Sequence, residues 1–214
     1  MIWSNFFKET MSGKTLYRVI FQQAVYNSSR YIKGKVLDIG SGGNPSYKKY
    51  LPKGIEYIKT DFVKKDGVDQ ILDFNQKFPF EDASLDTIFL FHNLYIAEDP
   101  SHVLSEAKRV LREGGYLLIS SPFGTNIMPE PHDYNRFTKE GLDNLVRKVG
   151  FKIEEFMALG DRFSVIANTL HAFFLIWPIR IVFNFLAVFC DKLIPSGMKR
   201  NHPFPLGYFY VIRK

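Results

Sequence analysis

Short, nearly continuous apolar runs alternate along this chain with stretches in which apolar residues return every third or fourth position. Helical spacing over 13–32 sets Leu16, Val19, Ile20 and Ala24 on one face and predicts an amphipathic helix. "KVLDIG" (35–40) then reads as a short buried strand running into a glycine turn and a helix start. "GIEYIKTDF" (54–62) predicts a second strand ending in Asp61, and "VDQILDFN" (68–75) a third, shorter one. "SLDTIFLFHNL" (84–94) is apolar enough to be buried on both faces of a parallel sheet. The next helix opens at Asp99-Pro100-Ser101 and is expected to stop at Gly114-Gly115, with basic residues in its last turns. "GYLLISSPF" (115–123) is another strand. Thr138 then caps a helix with the stripe Leu142, Leu145, Val146 and Val149, closing at Gly150. "FKIEEFMAL" (151–159) alternates as a strand, and "PLGYFYVIRK" (205–214) closes the chain as one more.

This alternation argues for a doubly wound, mostly parallel α/β sheet. A length of 214 residues suits one such domain with an elaboration. Apolar content of 46% and charged content of 23% exclude a globally disordered chain. The net charge of +6 favours an anionic partner or membrane surface, but its density is far below that of a nucleic-acid binder, so no nucleic acid is expected. Cys190 is the only cysteine, which excludes an internal disulfide and a cysteine-cluster metal site and fits a reducing compartment. "MIWSNFFKETMSGK" lacks the pattern of a secretion signal, so a cytoplasmic protein is expected, with no metal.

"KVLDIGSGGNP" (35–45) carries the chemistry. A glycine turn after the first strand lets backbone approach a ligand, at the sheet edge where open α/β sheets bind theirs. A phosphate-binding loop would need a Lys and a Ser/Thr after a longer glycine spacing, and both are missing. The dinucleotide pattern G-x-G-x-x-G fails at Pro45, and Asp38, directly before the turn, would repel a pyrophosphate. An acidic, side-chain-poor turn suits a cationic cofactor.

Taken with Asp61, Asp73 in "ILDFN" and "FPFEDASLDTIFLFHNL" (78–94), "VLDIGSGGNP" resembles the successive motifs of class I S-adenosylmethionine-dependent methyltransferases. "EDPSHVLSEAKRVLREGGYLLISSPF" (98–123) and "PHDYNRFTKEGLDNLVRKVGFKI" (131–153) resemble a bacterial small-molecule and glycan-type subgroup. The resemblance runs in order from Lys35 to Ile153. It implies a seven-stranded Rossmann-like sheet over 33–162 and 205–214, preceded by a helical segment at 1–32, and S-adenosyl-L-methionine as cofactor. Asp38, Gly40, Ser41 and Gly42 would cradle the cofactor's amino acid part, and Asp61 would accept from its ribose hydroxyls. Asp73 would face the adenine amino group, Phe74 would flank the ring, and the stretch Phe91-His92-Asn93 would border the methionine part near the transferred methyl. Structural alternatives stand beside these roles: Asp61 as a turn acid, Asp73 capping a turn with Asn75, Phe74 as plain core, and His92 as a structural histidine.

Many members of the subgroup carry Glu-His shortly before the Asp-Pro; here the aligned pair is Tyr95-Ile96, so roles tied to that pair do not transfer. In "PHDYNRFT" (131–138), His132 or Asp133 offers a base for a hydroxyl acceptor, and Tyr134 and Arg136 offer groups to orient it. The plain alternative is a network of Asp133, Arg136 and Thr138 that holds the loop. The acceptor expected is a small molecule, glycan or lipid-linked compound, methylated at O or N. The rival reading is a cofactor-binding protein of this fold without turnover.

Residues 163–190, "FSVIANTLHAFFLIWPIRIVFNFLAVFC", form an apolar insertion (163–204 with its flank) before the last strand. Ser164, Asn168 and His171 share one helical face, and Arg180, Asn184 and Asp191 another, which predicts two helices bent at Pro178. Neither half reaches the ~20 apolar residues needed to cross a bilayer. Two readings remain: a wedge in the inner face of a membrane, or a hairpin buried against the domain or in a homodimer.

Overall fold

Odd and even residues of the central strands go to different cores. Along β4 (Leu85–Phe91), Ile88 and Leu90 pack on one face of the sheet, and Phe89 and Phe91 on the other. β1 (Lys35–Asp38) divides its Leu37 and Val36 in the same way. So do β5 (Leu111–Pro122), with Leu117 and Ile119 against Leu118, and β7 (Gly207–Arg213), with Tyr208, Tyr210 and Ile212 against Phe209 and Val211. This period-two split is why the strands read as unbroken apolar runs. With β2 (Glu56–Asp61), β3 (Gln70–Ile71) and β6 (Lys152–Leu159) they make one seven-stranded sheet in the order β3-β2-β1-β4-β5-β7-β6. The pairs from β3 to β5 are parallel, whereas β7 lies antiparallel between β5 and β6. This is the expected Rossmann-like methyltransferase sheet. It is seen in a computed structural model that describes residues 3–128, 132–173 and 176–214. Pro131, at the head of the "PHDYNRFT" loop, and Phe174 and Leu175, in the apolar insertion, lie outside the described residues.

Several expected boundaries move. The helix expected over 13–32 is α2 (Leu16–Asn27), opened by Thr15 and followed by a single turn at Ser29–Tyr31. The helix start expected after the glycine turn is absent: only a short turn, Lys48–Tyr50, lies between β1 and β2, in a stretch broken by Pro45, Pro52 and Gly54. α2 covers that face instead, with Phe21, Ala24 and Val25 against Val36, Phe89 and Phe91. The third strand shrinks to Gln70–Ile71. α3 (Pro100–Val110), capped by Asp99 accepting from Ser101 and His102, ends well before Gly114-Gly115. There Leu111 leaves the helix to pair with Leu85, and Gly114 and Gly115 lie inside β5. α4 (Lys139–Lys148) follows its Thr138 cap as expected, Thr138 accepting from the Gly141 N–H at 3.1 Å.

The last strands form a hairpin with an unusually large tip. β6 ends at Leu159, β7 begins at Gly207, and these two residues pair directly. Between them stand α5 (Arg162–Thr169), a short turn at Leu170–Phe173, α6 (Trp177–Leu193) and α7 (Ser196–Asn201). Pro178 does not bend one helix; it sits in the first turn of α6, where its missing N–H has no partner to lose. The tip is anchored by a satellite core in which Ala167, Ala187 and Val188 meet Leu16 and Val19 of α2 and Phe6 of α1 (Trp3–Met11). Among the described residues, no helix is long and apolar enough to cross a membrane.

Candidate functional site

Gly40 turns with φ +66°, and a Cβ there would stand 2.6 Å from the Asn93 side chain. Asn93 uses that space: its amide donates to the Ile39 carbonyl and ties the end of β4 to the end of β1. Gly43, with φ +82°, lies against the backbone of Asp66 and Gly67; a Cβ there would come within 2.2 Å of the Asp66 carbonyl. Neither position has room for a side chain. The turn therefore stays bare and opens onto a cavity of about 320 Å³, lined by Gly40, Ser41, Asn44–Tyr47, Phe91–Asn93 and, from α2, Arg18 and Phe21. It lies outside the carboxyl ends of the strands, the binding edge of an open α/β sheet.

Asp38 does not reach that cavity. It is fully buried, and its carboxylate accepts from the Tyr47 hydroxyl at 2.9 Å and from the Tyr57 hydroxyl. Burial pushes its carboxyl up to about 7, against the pull of those two donors. Tyr47 stands between the acid and the cavity wall. His92 holds the left-handed backbone conformation (φ +59°), and its Nδ1 meets the Tyr17 hydroxyl at 3.1 Å. Burial, and secondarily the Arg18 charge, pushes its imidazole down to about 3, so it is neutral at any physiological pH. It is a wall and a hydrogen-bond partner, too weak a base to take a proton there.

Asp61, at the end of β2, faces the bare turn across a gap: a Cβ on Gly42 would still stand 3.9 Å from its Oδ2. Its Oδ1 accepts from the Val63 N–H at 3.1 Å. Asp73 accepts from the Asn75 N–H at 2.9 Å, closing its own turn, and Phe74 is packed with Leu72 and Phe78 in the larger core. Phe91 stacks on Phe89 with ring centroids 4.7 Å apart and lines the cavity.

The loop after β5 docks on the Tyr95 carbonyl through the N–H groups of Tyr134 and Asn135. Within it, both carboxylate oxygens of Asp133 are taken by Arg136, and one also accepts from the Met128 N–H. The Arg136 guanidinium lies over the Tyr95 ring at 5.3 Å. Asp133 is thus a structural anchor in this arrangement, while the exposed His132 stacks on Tyr134 with centroids 4.9 Å apart. Thr138 takes no part in the pair and caps α4.

The sheet edge therefore brings together Gly40, Ser41, Gly42, Asp61, Phe91 and His92, buries Asp38 and Phe74, pairs Asp133 with Arg136, and leaves Asp73 half-buried in its own turn. Asn93, expected beside His92, joins them, and Tyr17, Arg18, Phe21 and Tyr47 are added. Arg18 and Tyr47 reach the site through packing that no local spacing reports.

Residues 37–119 match the methyltransferase domain family. An uncharacterized protein of Methanocaldococcus jannaschii is 27% identical over 149 residues, covering 63% of this chain and 73% of that one. A demethylmenaquinone methyltransferase of Paenarthrobacter aurescens is 25% identical over 137 residues, which is 59% of this chain and 54% of that protein's length. Among solved structures, an S-adenosylmethionine-dependent methyltransferase from Archaeoglobus fulgidus superposes with a TM-score of 0.62, covering 98% of each chain at 18% identity.

Proposed function

We propose that this chain, a class I S-adenosylmethionine-dependent methyltransferase with S-adenosylmethionine as its cofactor, methylates an apolar, lipid-linked acceptor by alignment, without a strong base of its own. The carrying observation is the cavity where the bare turn meets the His92–Asn93 corner, with the Asp61 carboxylate facing Gly42 of the same turn.

In this reading Gly40, Ser41 and Gly42 hold the amino acid part of the cofactor, and Arg18 pairs with its carboxylate. Asp61 accepts from the ribose hydroxyls across the gap from Gly42, which a diol's two donors suit. Asp38 holds the Tyr47 and Tyr57 hydroxyls behind the turn. Phe91 and His92 wall the reacting end, and Asp73 and Phe74 bound the adenine side. When bound, the cofactor supplies a methyl group on a positively charged sulfur. The chain's part is to hold the acceptor atom in line with that group, which can stand for an effective concentration of roughly 10⁵ to 10⁸ M. With His92 held neutral and Asp133 held by Arg136, an acceptor that arrives already nucleophilic, an amine or a stabilised oxyanion, fits best. His132, Tyr134 and Arg136 stand on the acceptor side. Residues 33–162 and 205–214 carry the transfer, Arg18 and Phe21 of the helical segment 1–32 close one side of the cavity, and 163–204 serve the apolar acceptor. The demethylmenaquinone methyltransferase among the relatives supports that acceptor class.

Titration calorimetry with S-adenosylmethionine and its demethylated product tests the reading. Gly40→Ala and Asp61→Ala are each expected to weaken both ligands at least tenfold, and transfer of labelled methyl is expected into a lipid extract and not into its aqueous phase. Undiminished affinity in both variants overturns the site; label confined to the aqueous phase overturns the acceptor class.

A further inference from the structure

α6 is turned inside out. Its polar residues Asn184 and Asp191 face the protein and are buried, with Ala187 and Val188. Its solvent side carries Ile179, Val182, Phe183, Leu186, Phe189 and Leu193, between 40% and 66% exposed. At 3.6 residues per turn these six fall within an arc of ~120°. The surface continues onto neighbouring helices. Trp3 of α1 lies against Phe185, with centroids 5.5 Å apart, and the exposed Phe7 lies against Trp3. Phe163 and Ile166 of α5 line a further small apolar hollow with Phe183 and Leu186. Singly exposed apolar residues are ordinary, but a continuous sheet of them over three helices marks a docking surface.

The charges around the face choose its occupant. Every carboxylate of segments 1–14 and 160–204 is buried: Glu9 between Lys14 and Lys49, Asp161 beside Arg162, and Asp191 against backbone N–H groups. Lys8, Lys192 and Arg200 are exposed, Lys199 is half-buried, and the Lys192 ammonium stands over the Trp3 ring at 5.6 Å. An apolar face carried by segments whose exposed charges are all cations, with Lys192 at its edge, fits an anionic lipid surface. Against a second copy of itself it would set like charges together across the two-fold axis. Trp3 lies on this face against Phe185, and such rings prefer the interface of a bilayer. We infer that the face formed by α1, α5 and α6 is a membrane-docking surface that lies in the headgroup region of an anionic bilayer.

This inference is independent of the methyl-transfer reading, and its test needs no cofactor. Full-length protein is floated with vesicles of phosphatidylcholine alone and of phosphatidylcholine mixed with phosphatidylglycerol, while tryptophan emission is recorded. Co-flotation with the anionic vesicles and a blue shift of the emission are expected. Lys192→Glu, Lys199→Glu and Arg200→Glu should each weaken binding by about fivefold or more. The double variant Phe183→Glu/Phe189→Glu, in which both positions are solvent-exposed, should abolish flotation with the circular dichroism unchanged. Equal binding to neutral vesicles overturns the charge argument. A lipid-free dimer that the double variant dissolves, with no flotation in the parent, overturns the docking surface.

Discussion

Burial holds the Asp38 carboxyl near 7, whereas the same group in an unfolded chain titrates near ~3.9. Between those values the folded protein keeps a proton that the unfolded chain has released. Stability attributable to this residue therefore falls as pH rises from about 4 to about 7. Asp38→Asn cannot titrate, so the melting temperature of the variant relative to the parent is expected to rise across that range in differential scanning fluorimetry. A difference that stays constant with pH would mean that the acid is not desolvated. The sequence showed this acid and the turn behind it but hid what they touch. Tyr47 and Tyr57 come to Asp38 through a loop and a parallel strand, and no fixed spacing announces either. Gly40 and Gly42 were legible because a bare turn at a strand end has few other uses. Asp133 and Phe74 were harder to assign because an acid or an aromatic near a site looks the same in a sequence whether it faces a ligand or its own neighbours.

Strands were easier to see than helix ends. Both faces of the sheet are buried, so each central strand is an apolar run with sharp borders, and six of the seven lie within a few residues of where the pattern puts them. Helix ends are settled by competition. α3 stops early because Leu111 gains a ladder partner in Leu85, a contact that helical spacing cannot report. The insertion depends on a similar long-range cap. Asp191 of α6 accepts from the N–H groups of Asp161 at 2.8 Å, Phe163 at 2.9 Å and Ser164 at 3.3 Å, meeting the unpaired donors and the positive end of α5. Asp191→Ala is expected to cost about 1–2 kcal/mol in urea denaturation, since it removes a cap. Asp191→Asn, which keeps one acceptor oxygen, should recover part of it. No loss in either variant would mean that α5 is held by its packing alone.

The charge and the apolar tail were both plain in the sequence, but their geometry was not. Helical spacing found the polar stripe of α6 and left open which way it points; only the satellite core of Phe6, Leu16, Val19, Ala167, Ala187 and Val188 turns it inward. The whole excursion from Gly160 to Leu206 leaves and rejoins the sheet at one rung, Leu159 opposite Gly207, with the Leu206 N–H bonded to the Leu159 carbonyl at 2.9 Å. Replacing 160–206 by Asn-Gly, the preferred two-residue hairpin turn, together with removal of 3–11, should leave β5 and β7 protected in amide hydrogen exchange. Loss of that protection would show the tip to be part of the folding unit.

A segment whose two ends meet at one rung of a sheet can change length at little cost in chain entropy. Doubling it adds only ~0.6 kcal/mol to the entropy of closure. Evolution can therefore lengthen, trim or exchange what hangs from that rung without disturbing the register of any strand. One reaction centre can in this way be delivered to different surfaces by chains that differ in little else.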